Sequence, residues 1–125
     1  MGSWALHAVK CNDSSCADQD EAISFVETGT GSEIGRDPSV AIGSDGLPIM
    51  AARAGSGSTT VLRIIHCNDV ACAGANESAT DEVMGVPFGR NISIVIGDDD
   101  LPVIVHSDNN NGDIYVTHCS TMSCQ

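Results

Sequence analysis

The chain repeats itself, and that constrains its fold more than any other feature. The stretch GRDPSVAIGSDGLPI (residues 35–49) returns as GRNISIVIGDDDLPV (89–103), 54 residues later. Each copy runs on to a His-Cys pair, His66-Cys67 and His118-Cys119. A further cysteine pair, Cys11 and Cys16, stands 56 residues before Cys67 and Cys72, which in turn precede Cys119 and Cys124 by 52. Three tails of the unit are therefore present, but two heads. A unit recurring at such a period is one supersecondary element that buries its apolar faces only against its neighbours.

Within the unit the strand signals come in fours. Residues 39–42 are short and apolar, Ser44-Asp45-Gly46 supplies a turn, and 47–53 form the next run. Gly55-Ser56-Gly57-Ser58 turns the chain again into 61–67, rich in β-branched residues. The second copy uses Asn109-Asn110-Asn111-Gly112, a strong hairpin signal, ahead of 114–119. A weaker fourth strand is predicted at 22–26 and 81–85, and no helical periodicity of useful length exists. Leu47-Pro48 and Leu101-Pro102 fit the first residues of the second strand, where a missing amide donor does least harm. Four-stranded antiparallel units at this period predict an all-β chain of β-propeller blades, about two and a half per chain. The expected division is an outer half blade over 1–34, a full blade over 35–88 and an incomplete blade over 89–125.

The phrases SVAIGSDGLPI and VLRIIHCNDVAC resemble the tandem repeats of bacterial exported propeller-like proteins, a group related in pattern to the sialidase and Asp-box propellers. The resemblance runs from Leu6 to Cys124 and implies the propeller fold. The chain departs from the sialidase group by lacking a Ser-x-Asp-x-Gly-x-Thr-Trp box and by having no aromatic residue at the second-strand ends, Ala51-Ala52-Arg53 and Val105-His106-Ser107. Those departures weigh against sialidase activity.

Charge narrows the partners. Five Lys and Arg against seventeen Asp and Glu leave a net charge of −12, which repels phosphate backbones and anionic headgroups. Neither nucleic acid nor a membrane is expected as a partner. Apolar runs such as 92–96 fall far short of the roughly 20 residues that cross a bilayer. Six cysteines, all paired by spacing, predict an oxidising compartment, hence a secreted, periplasmic or cell-surface protein. The opening Met1-Gly2-Ser3-Trp4 has no basic region followed by an apolar stretch, so the expectation includes a leader already removed.

In each cysteine pair four residues separate the thiols, so a turn after the third strand brings the Cα atoms within the roughly 4.4–6.8 Å a disulfide needs. The predicted bridges are Cys11–Cys16, Cys67–Cys72 and Cys119–Cys124. A metal site is disfavoured, because His66 and Cys67 are strand neighbours and point to opposite faces. The turns at Asp98-Asp99-Asp100 and 108–113 do not match a calcium loop and read as solvated turns, and no cofactor is implied.

Two of the five basic residues, Arg36 and Arg90, hold the same repeat position just before the first strand, and Arg53 and His106 return to the same end of the blade. Around a propeller mouth such arginines would grip carboxylates or sulfates in bidentate fashion. The bland alternative pairs Arg36 and Arg90 with neighbouring acids such as Asp37 or Glu33. No nucleophile and base constellation is visible, and no serine sits in a G-x-S-x-G elbow. The expected function is thus a non-catalytic, exported binding or scaffold module whose ligand the sequence does not name: a glycan, peptide or surface partner on its face or rim, with a glycan or small anion as the candidate for the arginines. The alternatives are a fragment of a glycan-cleaving, sialidase-like enzyme, or a structural fragment without separate activity. Because known propellers have roughly four to eight blades, the ring is expected to close by homo-oligomerisation, a dimer ahead of a trimer.

Overall fold

The computed structural model describes residues 4–17, 19–29, 34–55, 60–74, 76–82, 90–108 and 111–125, with the backbone alone at 27–29. Among these residues there are nine strands and no helix. β1 (Trp4–Lys10) and β2 (Ala22–Gly29) form a two-stranded sheet; β3 (Ile34–Ile42), β4 (Pro48–Ala54), β5 (Val61–His66) and β6 (Ser78–Glu82) form a four-stranded one. β7 (Ser93–Ile96), β8 (Pro102–Ser107) and β9 (Ile114–His118) form a three-stranded one. Every pairing is antiparallel and joins strands adjacent in sequence.

The chain is therefore all-β, as its repeated four-strand unit predicts. Boundaries moved where sequence signals were weak. β3 begins at Ile34, five residues ahead of the apolar run, because two irregularities, at Gly35 and at Asp37-Pro38, let Ile34 and Arg36 pair with β4 ahead of Ser39. β6 spans Ser78–Glu82 rather than starting at Asp81, since its polar sequence carries no apolar alternation to mark its start. Residues 83–85 of that expected strand, the turn residues Ser56, Gly57, Ser58, Asn109 and Asn110, and Glu33 lie outside the described residues.

The four-stranded sheet is sandwiched. One face of it, Ile49 and Ala51 from β4 with Leu62 and Ile64 from β5, packs on Ile92, Ile94 and Ile104 of the third sheet. The opposite face, Met50, Ala52 and Ile65, meets Leu6 and Val26 of the first sheet. That explains why β4 is buried almost throughout: alternating residues of a strand point to opposite faces, and both faces are covered. Each fully buried Leu or Ile contributes about 1.5–3 kcal/mol relative to exposure.

Local structure repeats as the sequence does. The turn after β3 closes with the Gly43 amide donating to the Leu47 carbonyl, and the turn after β7 with Gly97 donating to Leu101. Gly46 (φ +81°) and Asp100 (φ +66°) occupy the same left-handed position of that turn. Pro48 and Pro102 open β4 and β8, and their carbonyls accept the amides of Cys67 and Cys119.

All three predicted cysteine pairs are joined, with Cα–Cα separations of 5.1 Å for Cys11–Cys16, 5.0 Å for Cys67–Cys72 and 4.7 Å for Cys119–Cys124. The second cysteine of each pair, Cys16, Cys72 and Cys124, is left-handed. Two of the loops share a further lock. Asn12 donates its amide to Glu21 and its side chain to the Asp20 carbonyl, and Asn68 does the same with Glu77 and Asn76.

Candidate functional site

Arg36 is aimed by the backbone beside it. Gly35 has φ +76° and Asp37 φ +49°, flanking Arg36 between the two irregularities of β3. Bulges re-aim side chains in this way, and among non-glycine residues Asp and Asn adopt the left-handed region most readily. The second copy shares the left-handed residue but not the bulge: Asn91, after Arg90 and ahead of β7, has φ +63°. Glycine at 35 is also required by space, since a Cβ there would lie 3.0 Å from Leu6 Cβ.

Because the second and third sheets stack with β3 beside β7, the two arginines arrive in one place. Arg36, Arg90, Trp4, Gly35 and Asp37 line a cleft of about 310 Å³. The Arg36 guanidinium sits over the Trp4 ring, 5.1 Å from its centroid, an attraction between cation and ring quadrupole worth about 0.5–1 kcal/mol at an exposed site. Trp4 remains 48% exposed, so the cleft presents an aromatic surface beside the two guanidiniums and the Asp37 carboxylate.

The other two expected site residues do not line this cleft. Arg53 is the cross-strand partner of Arg36, on β4. His106 is 2% exposed and stacks on Tyr115, with ring centroids 5.5 Å apart. Burial holds its pKa below the ordinary 6.5 of an imidazole. It does not line the cleft. Its neighbour Ser107 fixes the backbone there, donating amide and hydroxyl to the Arg90 carbonyl.

Trp4 carried no signal in the sequence, because the corresponding position of the next unit is Thr60, and repetition cannot flag an unrepeated residue. A second feature repeats in the structure, a histidine–aspartate pair in each of two units. His66 Nε2 lies 2.8 Å from Asp45 Oδ2, and His118 Nε2 lies 2.7 Å from Asp99 Oδ2. Each pair ties the turn after the first strand of a unit to the end of its third. Burial pushes the Asp45 carboxyl up, but the Leu47 amide and His66 together bring it below the ordinary 3.8. At Asp99 the Leu101 amide is the main lowering influence, with His118 adding to it against a smaller desolvation effect.

The acidic turn is thus a hydrogen-bonded one. The later turn departs from expectation, because Asp108 is buried: its amide donates to the Asp113 carbonyl and its carboxylate accepts from Asn111. Among the described residues no cluster of three His, Cys, Asp or Glu side chains is arranged to hold a metal ion, and no helix is long and apolar enough to cross a membrane. Compared with models of known protein families, with curated proteins and with solved structures, the chain matches none.

Proposed function

We propose that this chain is a non-catalytic, exported binding module made of β-propeller blades, and that it captures carboxylate or sulfate groups at the Arg36–Arg90 cleft. The observation that carries the reading is the convergence of two repeat-equivalent arginines on one cleft of a chain whose net charge is −12. An acidic protein that gathers two of its five basic residues around one cleft, against the single carboxylate of Asp37 in its lining, favours a small anion there, and paired guanidiniums match planar oxyanions. Trp4 adds an aromatic face of the kind that stacks on sugar rings, which favours an acidic glycan over an inorganic ion.

Three sheets stacked face to face, each with its strands in sequence order, fit successive blades, with β3 and β7 as the inner strands. The three disulfides fit a secreted, periplasmic or cell-surface location. The nine strands among the described residues make fewer than three four-stranded blades, and in this reading copies of the chain, a dimer ahead of a trimer, supply the remaining blades of a ring of roughly four to eight. Calorimetric titration with sulfate and with a sialic acid tests the cleft. Wild type saturates, and the Arg36→Ala, Arg90→Ala double variant binds at least about tenfold more weakly, since a hydrogen bond to a charged group is worth ~1.5–3 kcal/mol. Equal binding by both proteins contradicts the reading.

A further inference from the structure

Repeat-equivalent residues should share their environment, and at one place they do not. Ile94 on β7 is 5% exposed, because the four-stranded sheet covers it; Val40, its equivalent on β3, is 58% exposed. Met122, in the third cysteine loop, packs against the core beneath the turn at Gly43. Its equivalent in the second loop, Val70, is 54% exposed. Both exposed residues line one groove of about 410 Å³, which runs beside β1 over the outer part of β3 and β4.

The missing cover is defined by the molecule itself. Over Ile94 lie the first two strands of the preceding unit, β3 and β4. Over Val40 the first sheet supplies β1 and β2, counterparts of β5 and β6, and the inner edge of β1 has no strand along it among the described residues. What fits the groove is therefore a hairpin of the β3–β4 type. The chain displays one on its opposite surface: Val95 and Val105 of β7–β8, equivalents of Ala41 and Ala51, are 57% and 37% exposed. On the same uncovered face β9 leaves Ile114 and Val116 at 73% and 64%, and among the described residues no fourth strand lies beside it.

We propose that the groove beside β1 receives the β7–β8 hairpin of a second copy, and that β1 of the receiving copy replaces β9 along β8. This rests on the self-completing ring put forward above and gives it a register. By repeat equivalence Ala8 faces Val105 of the incoming hairpin, as Ile64 faces Ala51 and Val116 faces Val105 within one chain. The exchange yields a full four-stranded sheet, β7–β8 of one copy with β1–β2 of the other, and frees β9, whose role β1 now fills. The contact is head-to-tail, so it closes into a ring when its rotation permits.

Sedimentation equilibrium combined with amide hydrogen exchange of the full chain tests this. With rising concentration the mass climbs from 12.9 kDa toward at least twice that, while exchange slows in β1 and quickens in β9. Val40→Glu changes a side chain that is exposed in the single chain; the variant keeps the wild-type circular dichroism and remains at 12.9 kDa. A wild type that stays monomeric overturns both the docking and the self-completed ring. Association that Val40→Glu leaves intact, or that occurs without the opposite exchange changes in β1 and β9, overturns the docking alone. Sulfate binding is read separately and bears on neither outcome.

Discussion

Gly35 and His106 show how far single residues are committed to this arrangement. Gly35 combines a left-handed backbone with the close approach of Leu6, so Gly35→Ala meets both conformational and steric opposition. The expected cost is ~1–3 kcal/mol, read as a lower denaturation midpoint at unchanged denaturant slope. His106 makes a signed prediction about pH. Its folded pKa is depressed by burial, so the folded state binds fewer protons than the unfolded one as pH falls below about 6.5. The stability it contributes is complete above that pH and is lost as pH falls toward the folded pKa. Thermal unfolding followed from pH 8 to 5 should show a falling midpoint, and His106→Leu should flatten that slope; a parallel decline in both proteins would contradict it. The sequence made Arg36 and Arg90 legible because they repeat. Trp4 was illegible because it does not, and the histidine–aspartate pairs because each spans a turn and a distant strand end, which requires the register to be known.

The individual strands and their closures form the next level. The cysteine loops were readable from spacing alone, since a short loop after a strand leaves the thiols little choice of partner. Intact mass should fall ~6 Da below the fully reduced value, about two per bridge, and peptide mapping should return Cys11–Cys16, Cys67–Cys72 and Cys119–Cys124. Free thiols or bridges between units would contradict the pairing. Apolar strands such as β5 and β8 were legible through their β-branched residues, whereas β6 was misplaced because Ser-Ala-Thr-Asp-Glu holds its place by pairing with β5 rather than by burying a face. The Arg63–Asp81 cross-strand pair marks that register, and no periodicity argument foresees it. Within the sandwich, Ile64→Ala empties a fully buried site between two sheets and should cost ~2–5 kcal/mol. Val40→Ala, on the open groove, should change the stability of a single chain little.

For the whole molecule, the stack turns sequence repetition into a site. Arg36 and Arg90 line one cleft because the second and third sheets pack with their first strands side by side, and the anion pocket proposed above depends on that packing. The all-β class was legible from the repeat, and so was the shared position of the arginines. The tertiary distance between them was not, because it depends on how the faces of two sheets interlock. The measurement that bears most directly on this account is a nuclear magnetic resonance titration with sulfate, following the Nε–H signals of Arg36 and Arg90 and the indole N–H of Trp4. If the stack brings these groups to one cleft, all three signals move along a single saturable isotherm with a common dissociation constant. Separate constants for the two arginines, or shifts that fail to saturate, would contradict it.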